Sequence, residues 1–215
     1  MATFTTRRRR RVVKVAMVSD IHCNVPGLEK GLALMEPFDE LLCAGDAVFQ
    51  FRWSNEIVET LKDRGAHVVL GNHEETILSP DGERALSNPK VRADLVEWLR
   101  AKPYQLELTV EGKKILMVHS SPWEPWRDYH YPHETIWSRA AELDCDLLVV
   151  GHTHFKMAKQ VGRVLVVNPG SIGDPRDHNN NFQLSCATWD TTTGEVTFYD
   201  YPDPTRNFVK HSGEL

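Results

Sequence analysis

Leu147-Leu148-Val149-Val150-Gly151-His152-Thr153-His154 is the stretch around which the rest of the chain is organised. Its first four residues form a short apolar run rich in β-branched side chains, which is typical of a buried strand. Gly151 allows the backbone to turn, and two histidines follow at positions i and i+2. In extended backbone such side chains point the same way, so both imidazoles are expected to face one point. Neutral imidazole is the commonest metal ligand, so the pair suggests a metal, but most such pairs are solvated or hydrogen-bonded, and the prediction depends on the ends of the other strands.

Length and charge limit the classes of function. The 215 residues are enough for one domain with a full hydrophobic core, and no apolar run is long enough to span a membrane. The arginine run at residues 7–11 leaves 20 basic against 30 acidic side chains in the rest of the chain. This acidic body disfavours a stable nucleic-acid complex. An anionic substrate would then need a local attraction, which bound metal ions would supply.

The chain is expected to have three parts: a basic tail over residues 1–11, one domain over 12–201 and a C-terminal tail over 202–215. The arginine run has three interpretations, namely a nucleic-acid arm, a targeting patch or a solvated tail, and mutual repulsion of like charges favours the tail. The cysteines Cys23, Cys43, Cys145 and Cys186 show no disulfide framework. A reducing compartment, and hence a cytoplasmic location without membrane attachment, is predicted.

The order of predicted elements indicates a layered fold. Strands and helices alternate in the first half, with strands over 12–18, 39–43 and 67–70 and helices over 26–36, 54–64 and 90–100. The second half contains two hairpins, 105–110 with 114–118 and 182–189 with 195–201, and a further strand over 163–167. A helix is predicted near 135–143. This order predicts a mixed α/β fold with helices packed on sheets.

Five predicted strands end in polar groups that are able to bind a metal. These groups are Asp20 with His22, Asp46, Asn72 with His73, His119, and His152 with His154. Taken one at a time, each is better explained as a turn or capping residue. In open α/β sheets, however, ligands bind outside the carboxyl ends of the strands, where groups from several strands converge. The repetition at five strand ends therefore favours one shared metal centre.

In this order, the segments Asp20-Ile21-His22, Gly45-Asp46, Gly71-Asn72-His73-Glu74, His119 and Gly151-His152-Thr153-His154 resemble the motifs of the calcineurin-like metallophosphoesterase superfamily. Their spacing and the Asn168-Pro169-Gly170-Ser171 turn resemble its small bacterial and archaeal phosphodiesterase branch. The resemblance covers about residues 12–201. It implies a four-layer αββα sandwich of two mixed β-sheets flanked by helices, with a dinuclear metal site.

The resemblance also implies a ligand set. One metal is expected to bind Asp20, His22, Asp46 and His154, and the other Asp46, Asn72, His119 and His152, with Asp46 bridging. Mixed nitrogen and oxygen ligation suits two divalent transition-metal ions, with Mn expected first and Fe, Zn or Ni as alternatives. Two cations about 3.5–4 Å apart can hold a bridging hydroxide that attacks the phosphate. His73 is given the role of protonating the leaving oxygen, with Glu74 as its supporting neighbour.

Three departures from the family pattern stand out. Cys23 and Ser120 occupy positions where glycine is usual in this branch. Cys23 is expected to be a packed thiol, the alternative being a thiolate that binds metal or is oxidised. Protein phosphatases of the superfamily carry Asp-Arg-Gly shortly after the second motif, whereas Asp63-Arg64-Gly65 here is interpreted as the end of a helix.

The resulting prediction is a phosphodiesterase acting on small phosphate esters, which include nucleotide-derived ones. A phosphomonoesterase or dinucleotide-polyphosphate hydrolase with the same site is the first alternative. The second is a non-catalytic scaffold that binds partner proteins, which would be expected to lack ligands; none is missing here. A homo-oligomer is left open.

The predicted substrate contacts are Asn24, Asn72, His73, Trp123 and Trp126. The last two belong to an aromatic loop that follows His119 and also contains Tyr129, Tyr131 and Trp137. Aromatic rings in such a loop can stack on a nucleobase. The alternative, which the composition favours, is a structural cluster that covers the sandwich or a dimer interface.

Overall fold

The structure, a computed structural model, describes residues 12–206. The predicted basic tail at 1–11 and the last part of the predicted C-terminal tail, 207–215, lie outside the described residues. Ten strands are present: β1 (Lys14–Val18), β2 (Glu40–Cys43), β3 (His67–Val68), β4 (Gln105–Val110), β5 (Lys113–Val118), β6 (Leu147–Val149), β7 (Met157–Val161), β8 (Val164–Asn168), β9 (Leu184–Asp190) and β10 (Val196–Tyr201). The α-helices are α1 (Val25–Met35), α2 (Asn55–Asp63), α3 (Asn72–Ile77), α4 (Glu83–Leu86) and α5 (Ala93–Arg100).

The strands form two mixed five-stranded sheets. The first has the order β10-β9-β1-β2-β3. In it β1, β2 and β3 are parallel to one another, and β9 is antiparallel to both of its neighbours, β1 and β10. The second has the order β4-β5-β6-β8-β7, with parallel β5, β6 and β8 between two antiparallel edge strands. The predicted α/β architecture of two mixed sheets with helices is confirmed.

The core between the sheets explains the continuous apolar runs. Alternate residues of β1 serve different layers: Val15 and Met17 pack in the inner core with Met117 and Val149 of the second sheet, while Val18 packs on the outer helices. A strand that is buried on both faces has no polar face, so apolar and polar residues do not alternate along its sequence.

The outer layers differ from each other. Helices α1, α2 and α5 cover the first sheet. A 3-10 helix, Thr135–Glu142, covers the second sheet, and its Trp137 and Ala140 are buried in the hydrophobic cluster between them. The helix predicted near 135–143 is thus present, and it is of the 3-10 type. Its preceding residue, Glu134, provides no side-chain cap.

Several predicted boundaries are accurate for identifiable reasons. Ser54 caps α2 by accepting a hydrogen bond from the Ile57 amide, and Gly65 follows the helix with φ +64°. Strand β3 is shorter than predicted because the Leu70 amide leaves the sheet and donates to the Pro103 carbonyl. Strand β7 was not predicted, because as an edge strand it is largely polar outside Met157 and Val161.

The C-terminal tail predicted to begin at 202 is partly packed. Asp203 is buried, and its Oδ1 accepts a hydrogen bond from Asn24 Nδ2 at 3.1 Å. Folded structure therefore continues into this range. Among residues 12–206, no helix has the length and apolar content needed to cross a membrane.

The topology places the candidate ligands at one end of the sandwich. Strands β1, β2 and β3 of one sheet and β5 and β6 of the other are followed within a few residues by predicted ligands. Loops from both sheets thus meet around one point, as expected at the carboxyl ends of parallel strands.

Candidate metal centre

One group of candidate ligands consists of Asp20, His22 and His154, whose donor atoms all lie within 4.8 Å of one another. His154 Nε2 is 3.2 Å from Asp20 Oδ1 and 3.3 Å from His22 Nε2. All three side chains are buried. Asp20 Oδ1 is also buried and makes no hydrogen bond among the described residues, which is costly for a carboxylate oxygen unless a cation approaches it.

A second group contains Asp46, His119 and His152. His119 Nε2 is 3.2 Å from Asp46 Oδ2, 3.2 Å from His152 Nδ1 and 3.1 Å from Asn72 Oδ1. Asn72 is the first residue of α3, so its side chain points back from the helix start toward the group. Four predicted ligands are thereby brought together around His119.

The two aspartates are held in the same way. Asp20 Oδ2 accepts from the His152 amide at 3.0 Å, and Asp46 Oδ1 accepts from the His73 amide at 2.9 Å. In each case one oxygen is tied to the backbone of a neighbouring loop and the other faces histidine nitrogens. Asp46 also belongs to a third group, with His22 and His73, which connects the first two. This arrangement suits a carboxylate shared between two metal positions.

The histidines are oriented by backbone carbonyls. His119 Nδ1 donates to the Ala44 carbonyl (2.7 Å), His152 Nε2 to the Arg127 carbonyl (3.0 Å) and His154 Nδ1 to the Asp174 carbonyl (2.5 Å). Because a carbonyl oxygen only accepts, these nitrogens carry the protons, and in the neutral rings the opposite nitrogens present lone pairs. This is the arrangement usual for metal-binding histidines.

The inward-facing nitrogens are too close for bare lone pairs. His119 Nε2 and His152 Nδ1 are 3.2 Å apart, and His22 Nε2 and His154 Nε2 are 3.3 Å apart. For His119 and His152, whose outer nitrogens both donate to carbonyls, only a proton or a cation can stabilise the two facing lone pairs at that distance. The donor set, which is nitrogen with carboxylate and amide oxygen, fits a divalent transition metal.

Within each of the two groups, the pKa of one histidine is raised and that of the other is lowered. Burial alone would lower the pKa of His119, but Asp46 raises it to about 10, and Asp20 likewise raises the pKa of His154 despite burial. Burial lowers the pKa of both His22 and His152 to about 4. Each group therefore combines one histidine with a raised pKa and one with a lowered pKa, and a metal ion would compete with protons for these nitrogens.

His152 and His154 do not face one point, contrary to the expectation from their i, i+2 spacing. Their backbones are left-handed, with φ of +68° and +64°, and not extended. His152 turns to His119, and His154 turns to Asp20 and His22. The residues named by the resemblance are thus divided between the two groups as it implied, but the geometric reason predicted for the pair is wrong.

Left-handed backbone is concentrated at the ligands. Asp20, His22, Asp46, His152 and His154 all have φ between +48° and +68°. Such conformations are uncommon for residues with a side chain and persist where the surrounding structure fixes them. Here the loops fix each other: the Asp20 and His22 amides donate to the Gly45 and Asp46 carbonyls at 3.1 and 3.0 Å.

Two turns bring the loops close. A Cβ on Gly151 would lie 1.9 Å from Ser19 Oγ, so only glycine permits this approach. In the Asn168-Pro169-Gly170-Ser171 turn, Asn168 Nδ2 donates to the Gly151 carbonyl at 2.8 Å, and Ser171 Oγ donates to the Asp20 carbonyl at 2.8 Å. The turn therefore holds the loops that carry Asp20 and His152.

Glu74 binds backbone amides of the loops that carry candidate ligands. Its Oε2 accepts from the Asp46 and Gly71 amides at 2.7 and 2.8 Å, and its Oε1 accepts from the Val48 amide at 2.9 Å. Burial and the Asp46 charge raise the pKa of Glu74 to about 7, against these three donors. Glu74 thus fixes the loop after β2 to the start of α3.

We expect Glu74→Gln to destabilise the fold, because an amide NH2 group would face backbone N–H donors that now meet carboxylate oxygens. Leaving a buried donor unsatisfied costs about 1–3 kcal/mol. Chemical denaturation should therefore show a lower free energy of unfolding by about that amount, with Glu83→Gln, at an exposed carboxylate, as the matched control. Equal stability of the two variants would contradict the supporting role.

His73 lies between the groups and the outside. The Gln50 amide donates to its Nδ1 at 3.0 Å, so the ring proton of the neutral form is on Nε2, which is 3.7 Å from Asp46 Oδ2. The ring also lies against Phe49 and His22, with centroid distances of 4.6 and 4.7 Å. Burial lowers the pKa of His73, although Asp46 acts in the opposite direction.

The predicted substrate contacts are not equivalent. Asn24 is the N-cap of α1: its Oδ1 accepts from the Gly27 amide, and its Nδ2 donates to the Ile172 carbonyl and to Asp203. Because both ends of this buried amide are used within the fold, Asn24 is withdrawn as a substrate contact and is assigned a capping role.

The aromatic loop combines the two roles that its composition left open. Trp137 is buried and donates to the Tyr131 carbonyl, and Trp123 packs against this core with a ring distance of 6.1 Å. These two tryptophans are structural. Tyr129 stacks on His152 at 3.9 Å and is 48% exposed, so this part of the loop borders the metal centre.

Cys23 is a packed thiol. Its Sγ donates to the Arg52 carbonyl at 3.2 Å, and burial raises its pKa, which disfavours the thiolate. All four cysteines are free, and Cys43, Cys145 and Cys186 are buried. Asp63 and Arg64 lie at the end of α2, and Arg64 pairs with Glu36.

Some supporting groups gave no indication in the sequence. The carbonyls of Ala44, Arg127 and Asp174 orient histidines, and any residue type supplies a carbonyl. Arg52, which donates to the His22 carbonyl at 2.6 Å, was also missed. Only their positions in the folded loops identify them.

Comparison with known proteins gives consistent results. The profile of the calcineurin-like phosphoesterase superfamily domain matches residues 13–194. The uncharacterized protein MJ0912 of Methanocaldococcus jannaschii is 27% identical over 197 residues, covering 77% of this chain and 79% of that protein. Phosphodiesterase MJ0936 of the same organism is 22% identical over 167 residues, covering 74% of this chain and 83% of that protein. A metallophosphoesterase structure from Sphaerobacter thermophilus has a TM-score of 0.71 at 24% identity over 89% of both chains, and so shares the fold.

Proposed function

Because the chain belongs to the calcineurin-like phosphoesterase superfamily, whose members are metal-dependent phosphoric ester hydrolases, we propose that it hydrolyses phosphodiesters at a centre of two divalent metal ions. The observation that carries this proposal is the pair of histidine contacts in which inward nitrogens lie 3.2–3.3 Å apart. For three of these four histidines the outer nitrogen is bound to a carbonyl.

Asp20, His22, Asp46 and His154 would hold one ion, and Asp46, Asn72, His119 and His152 the other. We expect Mn first, with Fe, Zn or Ni as alternatives, because the ligands combine imidazole with carboxylate and amide oxygens. Such ions supply positive charge for the phosphate oxygens and lower the pKa of a water nucleophile.

The residues of the chain perform the remaining tasks. Asp46 keeps one oxygen on the His73 amide, and this fixes the distance between the general-acid candidate and the ligands. His73 directs Nε2 toward Asp46 Oδ2 and is positioned to donate a proton from that atom to the leaving oxygen when the ring is an imidazolium. Arg52, which donates to the His22 carbonyl, adds positive charge beside an anionic ester in an otherwise acidic body, whereas the charge of Arg176 is paired with Asp174.

A diester is preferred over a monoester because one of the similar proteins, MJ0936, is a phosphodiesterase. A phosphomonoesterase or a dinucleotide-polyphosphate hydrolase is the alternative. A protein-binding scaffold is disfavoured, since each predicted ligand is retained and the ligands converge. We expect a reducing, cytoplasmic setting, because the spacing of the four cysteines shows no disulfide framework.

The proposal is tested by a substrate screen with protein loaded separately with Mn, Fe, Zn and Ni. Linear diesters, cyclic nucleotides, monoesters and dinucleotide polyphosphates are compared at equal concentration. We expect the highest kcat/KM for a diester. A higher value for a monoester would favour the alternative, and inactivity of every loaded form on all four classes would contradict phosphoester hydrolysis.

A further inference from the structure

The cavity beside His119 is a feature that the proposed metal chemistry does not use. Its volume of about 360 Å³ lies within the range of small-molecule sites. The end of β5 and the loop that follows line it, together with Leu70, Tyr104 and Gln105. His119, a candidate metal ligand, is part of the lining. The cavity therefore adjoins the metal centre.

The cavity presents aromatic surface that the core does not use. Trp126 and Tyr104 both line it, with their ring centroids 5.6 Å apart. Tyr104 is 47% exposed, and neither ring belongs to the buried clusters of the sandwich. Trp123, which also lines the cavity, is held against Trp137. Two of the three rings are thus available to a ligand.

Trp126 is held in place through groups that contact the centre. The guanidinium of the next residue, Arg127, lies 4.6 Å from the indole ring and pairs with Glu75 of α3. The Arg127 carbonyl accepts from His152 Nε2 at 3.0 Å. One peptide unit therefore connects the aromatic wall with a candidate ligand, and the ring is positioned before a substrate arrives.

The polarity of the lining disfavours a second anionic group. Glu124 is its acidic side chain, and no lysine or arginine of the described residues lines the cavity. A second phosphate or a carboxylate would be repelled there. The side chains of Glu124 and Gln105 are exposed and make no hydrogen bond within residues 12–206, so both are free to bind the polar edge of a neutral ring.

We propose that this cavity binds the nucleobase of a nucleotide-derived diester while the phosphate lies at the metal centre; the inference rests on the proposed function. A base would stack on Trp126 and meet Tyr104, whose ring is inclined by 57° to the indole, with its edge, and its polar groups would meet Gln105 and Glu124. Every base offers an aromatic face, and stacking on one ring corresponds to about 5- to 100-fold in affinity.

Binding of two phosphate monoesters to the metal-loaded protein tests this proposal through affinity, with each ester checked for hydrolysis after the measurement. Adenosine 5′-monophosphate and methyl phosphate carry the same phosphate group and differ in the nucleoside. By calorimetry, we expect the wild-type protein to bind the nucleotide about 5- to 100-fold more tightly. Trp126→Leu, which keeps an apolar side chain without an aromatic face, should reduce this ratio toward one.

Phe51→Leu is the matched control, because Phe51 is an exposed ring in the turn next to Phe49 and lies outside the cavity. This variant should keep the wild-type ratio. A wild-type ratio near one, or a ratio that Trp126→Leu leaves unchanged, would overturn the base site. If the nucleotide preference is present but no ester is hydrolysed in the screen, the base site stands and the proposed function fails.

Discussion

Asp46→Asn is expected to lower kcat/KM for a phosphodiester by about 10³-fold, because one carboxylate serves both metal positions. Asp46 Oδ2 lies 3.2 Å from His119 Nε2, and Asp46 also belongs to the group with His22 and His73. An amide retains the shape but loses the charge and places a nitrogen donor at one of these oxygens. Steady-state kinetics with fully loaded protein measure the effect.

The matched control for this variant is Asp63→Asn. Asp63 is an exposed residue at the end of α2, and its Asp-Arg-Gly sequence resembles a family motif without lying at the centre. We expect this control to retain wild-type kcat/KM. Comparable activity of the two variants would show that Asp46 is not shared by the metals.

His73→Ala is expected to retain both metals but to lose about 10²–10⁴-fold in kcat on diesters with alkyl leaving groups. The loss should be much smaller with p-nitrophenolate, which needs little protonation. Because burial lowers the pKa of His73, the imidazolium is lost at lower pH than for a free histidine. The contribution of the ring should therefore decrease as the pH rises through that lowered pKa.

A leaving-group series measured for the wild type and for His73→Ala, with metal content checked in both, separates this role from phosphate positioning. His67→Ala serves as a control, since His67 is half-exposed and pairs with Glu40 far from the ligands. If His73→Ala lowers the rate equally for good and poor leaving groups, His73 positions the phosphate and does not act as a general acid.

The sequence was most informative where one residue type is required. Buried strands such as β1 and β6 have continuous apolar runs, and the polar residues that end these strands belong to the centre. Ser54 and Gly65 marked the limits of α2 because capping has strict side-chain or backbone requirements. Residue types alone were sufficient to identify these features.

Backbone conformation could not be predicted from residue types in the same way. The division of His152 and His154 between two groups depends on φ of +68° and +64°, which no local pattern of L-residues indicates. The 3-10 helix over Thr135–Glu142 and the edge strand β7 depend on tertiary packing. The role of Asn24 was misjudged because Asp203, its hydrogen-bond partner, is distant in sequence.

The central claim is that two metal ions act together at this site. Its most direct test is to remove metal by chelation, add Mn back stepwise, and measure bound metal by mass spectrometry together with diester hydrolysis. We predict two ions per chain, with activity that follows occupancy of the second. Full activity with one ion or none per chain would contradict the dinuclear mechanism.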